Sequence, residues 1–423
     1  MVKPQELQNG MRVHVLPLSG TEAVALLVLV NVGSRNEPRN LWGASHFVEH
    51  LMFKGTKRRS NTVDISRELD RYGAEYNACT GKDFTGYHVK IDAAQAEIAV
   101  DLLHDMLFHS KYDAKEMSRE KQVIVEEIKM YDENPIMHVE DLLEETMFDG
   151  HELGRNIAGT AASVRAMRRA DVLGYRDAHY VPQAITIVAA GKVPKDIIAM
   201  LERTFGKVKA RKAPAASTTF MPRKRSAASR VRVQTKPLKQ MQLALGFPAF
   251  KRGHADAEAL NILGVILGGT MSSRLFIEVR ERKALCYSVR AAIDAYADVG
   301  VFAIRAGLDA ARLPLAMATI MREVRKVVKS GVTDHELAMA KDNIRGALTL
   351  RLEDSLEHAE FFGRQELFLG EALTPAERMK RVNTVTREDV HRVAKVVLDE
   401  SAMSIAAIGP YTSAKAFMQK AGL

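Results

Sequence analysis

Two histidines four residues apart, with a glutamate between them, are the sharpest chemical signal in the chain: Gly43-Ala-Ser-His46-Phe-Val-Glu49-His50. On an α-helix His46 and His50 lie about 40° apart around the axis, so both imidazoles can reach one metal ion. Two neutral imidazoles suit zinc, and Glu49, three residues after His46 on the same side, can act as general base on a zinc-bound water. The pattern is H-x-x-E-H, the inverse of the commoner H-E-x-x-H. A catalytic zinc needs a third protein ligand and one position left open. The candidates lie in Glu120-Lys-Gln-Val-Ile-Val-Glu126-Glu127-Ile-Lys-Met. Helical spacing predicts an apolar stripe of Val123, Ile124, Ile128 and Tyr131, with Glu127 inside it and Glu126 outside. A carboxylate facing a core is costly unless paired or bound to metal, which favours Glu127 as the ligand. Glu120, two turns earlier on the same stripe, is placed to orient the ligands from behind. Glu126 reads as solvated surface.

With these residues in place the chain resembles the pitrilysin-type (M16) zinc metallopeptidases. The resemblance is nearest to the short two-domain subfamily of bacterial processing-type peptidases and the mitochondrial processing peptidase β subunit. The family's spacing to its ligand glutamate admits both Glu126 and Glu127; its further glutamate, seven residues before the ligand, matches Glu120 and favours Glu127. The flank Phe53-Lys54-Gly55-Thr56 matches as well. Glu75-Tyr76-Asn77-Ala78-Cys79-Thr80 is similar to the family's Asn-Ala-x-Thr segment, an edge strand to which substrate backbone is added. By that resemblance Asn77 and Ala78 bind substrate, through main-chain pairing that is indifferent to sequence. Asp83 stands where the family usually has Glu, so a local side-chain preference is not carried over.

Arg280 and Tyr287, seven apart, resemble the family's Arg and Tyr pair. The resemblance implies that Arg280 holds the substrate main chain and that Tyr287 donates to the oxyanion in the transition state. Cys286, where Gly is frequent, reads as a small packing residue, since no histidine accompanies it as a catalytic partner. The implied protein is a metalloendopeptidase with one Zn2+ per chain, cutting unfolded peptides or presequence-like segments inside a dimeric chamber. A homodimer is expected, its active site completed by Arg280 and Tyr287 of the partner chain. The alternative is a non-catalytic structural or partner subunit that keeps this fold.

The elements that must position these residues are legible by period. Strands are expected at Arg12–Leu16, Val24–Val32 and Phe84–Asp92, where alternation marks a half-buried strand. Helices are expected at His46–Phe53, Asn61–Tyr72, Ala93–Phe108 and Asp113–Tyr131. Strands and helices mix without regular βα alternation, which predicts an α+β class of antiparallel-rich sheets with helices packed on one face. A repeat is present: Val164–Gly191 and Val382–Gly409 both run from helix through a break into a strand that stops at glycine. Two pseudo-repeat domains follow, 1–210 carrying the zinc and 231–423 without a metal site, joined by a linker at 211–230 rich in Ala, Ser, Thr, Pro and positive charge. In the second copy Ala347 stands opposite Glu127.

Composition narrows the setting. The chain has 423 residues, 47% hydrophobic and 27% charged, enough for two cores and too apolar to be disordered. Its net charge is +9, but aromatics are only 6% and the Lys/Arg clusters lack the repeated aromatic interleaving that base-stacking needs, so no nucleic-acid partner is expected. No apolar run approaches the ~20 residues of a membrane span, and the first ten residues lack a secretory apolar region. No membrane partner is expected, and a cytoplasmic location follows from these missing signals. Two cysteines, Cys79 and Cys286, do not make a disulfide scaffold.

Overall fold

The computed structural model describes residues 2–214, 219–221, 226 and 228–423. Much of the segment expected as a linker therefore lies outside the described residues. Among the described residues eleven strands form two sheets. The first contains β1 (Gln5–Glu6), β2 (Arg12–Pro17), β3 (Ala23–Val30), β4 (Glu75–Thr80), β5 (Thr85–Asp92) and β6 (Ile185–Gly191) in the order β1-β2-β6-β3-β5-β4. The second contains β7 (Val231–Thr235), β8 (Gln240–Ala249), β9 (Cys286–Ala295), β10 (Gly300–Asp309) and β11 (Ser404–Gly409) in the order β7-β11-β8-β10-β9.

The weak sequence repeat is a strong topological one. In each sheet a single parallel pair, β2 with β6 and β7 with β11, adjoins an otherwise antiparallel array. β6 and β11 occupy the same place, and each ends at the glycine that closes its repeat. β4 and β9 are the free edges at corresponding ends. The class is α+β, as the mixed pattern predicts.

The helices that precede and carry the site are α1 (Ala44–Met52), α2 (Thr62–Asp70), α3 (Ala96–His109), α4 (Ala114–Glu133) and α5 (Pro135–Met147). β3 reads AVALLVLV and is buried along nearly its whole length, so it must be covered on both faces. On one face Val24, Leu26, Val28 and Val30 join a core with Phe47, Val48 and Leu51 of α1 and Leu103 and Met106 of α3. The other face is closed by a helix from the other half of the chain, Ser355–Leu369. Gly363 of that helix comes so close to Leu29 and Val188 that an added Cβ would lie 3.0 and 2.9 Å from their side chains. Glu366 of the same helix, itself buried, accepts from Arg12 (3.0 Å) and pairs with the buried imidazole of His14 (3.0 Å).

The loan is reciprocal. α5, from the first half, packs Val139, Leu142, Leu143 and Met147 against Ala244, Val301, Ala303, Ala406 and Ile408 of the second sheet. Each sheet is thus built from one half of the sequence, while residues Lys129–Gly154 cluster with the second sheet and Leu348–Glu377 with the first. Among the described residues no helix is long and apolar enough to cross a membrane.

Candidate metal centre

α1 begins where the chain makes a turn that only glycine takes easily. Gly43 has φ +96°, and a Cβ there would lie 2.7 Å from the Ala158 carbonyl oxygen. The N–H groups that this first turn leaves without helical partners are met by Glu37, whose carboxyl group accepts from the backbone N–H of Gly43 and of Ser45, both at 2.7 Å. An acidic group at a helix N-terminus satisfies orphan donors and opposes the dipole. Burial drives the Glu37 carboxyl up to about 8, against the pull of those same N–H bonds. Phe47, Val48 and Leu51 anchor the opposite side of α1, which leaves His46, Glu49 and His50 on the half-buried face.

α4 brings the third group. The Nε2 atoms of His46 and His50 are 3.1 Å apart, and Glu127 lies 3.6 Å from the first and 3.4 Å from the second. Among the described residues this is the one cluster of three or more His, Cys, Asp or Glu groups close enough to share an ion, with its donor atoms all within 4.8 Å. A tetrahedral zinc with bonds of about 2.0–2.1 Å separates its ligand atoms by roughly 3.3 Å, so the donor set fits that ion. Glu120 is 4% exposed and sits at 2.9 Å from His50 Nδ1. A carboxylate there holds the hydrogen on Nδ1 and turns the Nε2 lone pair toward the cluster. Lys54, from the flank of the motif, pairs with the other Glu120 oxygen at 2.8 Å.

The charges of these groups follow from that wiring. Burial, then repulsion from His50, lowers His46 to about 4. Burial would lower His50 too, but Glu120 and Glu127 outweigh it and raise it to about 9. The hydrogen bond with His50 holds the Glu127 carboxyl below the usual carboxylate range. Glu49 goes the other way: burial raises it, partly offset by a hydrogen bond from the Thr80 hydroxyl. A carboxyl held above its ordinary range is suited to taking up a proton and passing it on.

Glu126 is exposed and outside the cluster, as the helical reading has it, but the stripe that separated the two glutamates is corrected in detail. Val123 is 50% exposed, and the buried side of α4 is Met117, Glu120, Ile124 and Val125. The buried arc lies slightly off the predicted one because the helix packs through Ile124 and Val125 rather than Val123; Glu127 is half-buried at its rim.

Among the described residues β4 is paired only through β5, and its other edge is open. Gly81 N donates to Phe84 O at 2.7 Å to close the hairpin. Antiparallel alternation then gives Cys79, Asn77 and Glu75 the bonds to β5 and turns the backbone of Tyr76, Ala78 and Thr80 to the free edge. The Ala78 N–H meets the side-chain oxygen of exposed Asn77 at 2.9 Å. Asp83 is buried and bonded to buried Arg35 at 3.1 Å, so it stabilises the hairpin turn rather than reading a substrate.

Arg280 and Tyr287 belong to the second unit, where the guanidinium lies 5.5 Å from the Tyr287 ring centre and 4.6 Å from that of Phe276. The pair is therefore assembled, and Tyr287 is 75% exposed. Cys286 is half-buried and packs at the rim of the second core. Sequence reasoning missed Glu37 as the cap of α1 and Thr80 as the partner of Glu49; the only trace of the first is an acidic residue six before the helix-opening glycine.

The profile described as "Insulinase (Peptidase family M16)" matches residues 13–161, and that described as "Peptidase M16 inactive domain" matches residues 166–344. A Bacillus subtilis (strain 168) protein named "Uncharacterized zinc protease YmxG" is 34% identical over 97% of this chain and 98% of its own length. A Mycobacterium tuberculosis (strain H37Rv) protein, "Uncharacterized zinc protease Rv2782c", is 35% identical over 98% of this chain and 94% of its own. The fold matches the crystal structure of a protease from Helicobacter pylori with a TM-score of 0.89 at 25% identity, covering 96% of this chain and 99% of that one. The chain belongs to peptidase family M16, the pitrilysin-type family, in its short two-domain form.

Proposed function

We propose that the chain is a zinc-dependent endopeptidase, with one Zn2+ held by His46, His50 and Glu127. The observation that carries this reading is the convergence of those three donors beside a half-buried Glu49 whose carboxyl is raised. The names of its full-length relatives support it. Zinc bound there supplies a Lewis acid that acidifies the attacking water and polarises the scissile carbonyl. Glu49 takes the water's proton on the carboxylate oxygen not engaged by Thr80 and delivers it to the leaving amine. The substrate main chain adds as a strand to the open edge of β4, bonding to the backbone of Ala78 and its neighbours with Asn77 at its side. Glu120 keeps His50 oriented throughout.

Arg280 fixes substrate main chain and Tyr287 donates its hydroxyl to the developing oxyanion. These two serve the centre of a partner chain in a homodimer, which encloses unfolded peptides or presequence-like segments. The assembled, solvent-facing Arg280–Tyr287 pair supports that role. The test is mass-spectrometric mapping of cut sites in a mixed library of unfolded peptides. Internal cuts that vanish with a chelator, return with zinc and fall ~1,000-fold or more in Glu49→Gln are expected. Cuts that persist with chelator, or an unimpaired Glu49→Gln protein, contradict the reading.

A further inference from the structure

Glu49 is held from outside its own helix. The Thr80 hydroxyl donates to Glu49 Oε2, bridging β4 and α1 across 31 positions of sequence. Alternation along β4 directs Tyr76, Ala78 and Thr80 to the α1 side of the sheet, and the Tyr76 ring stacks on Phe53 at the end of α1, with centres 6.4 Å apart. A glutamate on a helix has three rotatable side-chain bonds, so its carboxylate is not fixed by the backbone alone. A donor to one oxygen fixes the group and leaves the second oxygen to exchange the proton.

Thr80 is itself on a clamped support. The turn that follows it is tied to the loop before α1 by Ser34 N to Gly81 O (3.0 Å), Arg35 N to Lys82 O (3.1 Å) and the Arg35–Asp83 pair (3.1 Å). The same loop continues to Glu37, which caps α1 through Gly43 and Ser45. α1 and β4 are therefore registered by two routes, one through the capping loop and one through Thr80 to Glu49. Threonine suits the task because its branched Cβ restricts χ1 and belongs in a strand.

We propose that Thr80 is the positioning residue for Glu49, setting the base in register with the strand to which substrate is added. The inference rests on the endopeptidase reading. The Thr80 side chain is engaged by Glu49 and by neither substrate nor the metal donors; the Thr80 backbone stays in the strand whatever the side chain, so loss of the hydroxyl reaches turnover more than binding.

The test compares Thr80→Val, Thr80→Ala and Thr80→Ser with the wild-type and Glu49→Gln proteins. Thr80→Val and Thr80→Ala are expected to lose roughly 10- to 100-fold in kcat with KM within about threefold, as for other outer partners of an active-site group. Thr80→Ser, which keeps the donor, should recover most of that loss, and zinc content should be unchanged in all. Crystals of zinc-stripped Thr80→Val protein should show the Glu49 carboxylate moved or spread over several rotamers. A wild-type kcat in Thr80→Val, a Thr80→Ser protein as impaired as Thr80→Val, or an unmoved Glu49 overturns the assignment while wild-type cleavage stands. Absence of chelator-sensitive cleavage in the wild type, by contrast, overturns the endopeptidase reading and this inference with it.

Discussion

Glu120 shows how much of a site lies behind the atoms that bind. It touches none of the three donor atoms, yet it sets which nitrogen of His50 faces the cluster and is itself tethered by Lys54. Glu120→Gln keeps the size but loses the charge, and is expected to weaken zinc binding by about 10- to 100-fold, measured by competition with a chelating dye. The residues legible in the sequence were those whose geometry is local: His46, Glu49 and His50 share one helical face, and Glu127 differs from Glu126 by a single helical step. Thr80 and Glu37 were not legible in these roles, because their partners are chosen through space, by how β4 and the capping loop lie against α1. Asp83 was readable as a position but not as half of a buried pair with Arg35, 48 residues earlier.

At the scale of elements, the open edge of β4 is the feature with the clearest consequence. Ala78 N–H points away from β5, so Ala78→Pro removes a bond that substrate would use without removing one from the sheet. The variant should keep its fold and zinc while KM rises at least tenfold in peptide assays; unchanged KM would detach the strand from substrate binding. The second unit offers a check on folding instead. At the start of the helix Asp334–Arg351, Glu336 is gripped bidentately by Arg274 (2.6 and 2.8 Å) and bonds the Thr333 N–H. Burial would raise this carboxyl, but Arg274 and Thr333 outweigh it and hold it at about 2, below its ordinary 4.5. The native state then binds fewer protons than the unfolded one, so the contribution is full above about pH 4.5 and is lost as pH falls toward 2. Urea unfolding should show Arg274→Met flattening the acid-side slope in that window, with little change in slope above it.

Strands and helices were legible because their apolar periods are local, and the repeat gave the number of sheets. The exchange of helices was not legible. An apolar face on α5 or on Ser355–Leu369 says that something covers it, not which of two similar sheets does so. Contacts such as Glu366 with His14, and Leu143 with the second sheet, decide that.

At the scale of the whole molecule, the chain carries two copies of one topology and puts different chemistry on each. The first brings His46, His50 and Glu127 together beside Glu49; the second holds Arg280 and Tyr287 side by side on an exposed surface. If these serve the partner's centre, a defect in one half of a chain can be complemented by the other half of a second chain. Co-assembling Glu49→Gln chains with Tyr287→Phe chains should restore activity above either parent, because some mixed dimers contain one fully intact centre. No recovery in demonstrably mixed dimers would place all the chemistry within a single chain.

In the proposed mechanism one zinc on His46, His50 and Glu127 drives peptide hydrolysis. That is tested most directly by measuring zinc per chain and cleavage rate on the same samples of wild-type, Glu127→Ala, Glu126→Ala and Glu49→Gln protein. About one zinc per chain and full activity are expected in wild type and Glu126→Ala, loss of both in Glu127→Ala, and zinc without activity in Glu49→Gln. Stoichiometric zinc retained by Glu127→Ala, or peptide cleavage by chains that hold no zinc, would contradict it.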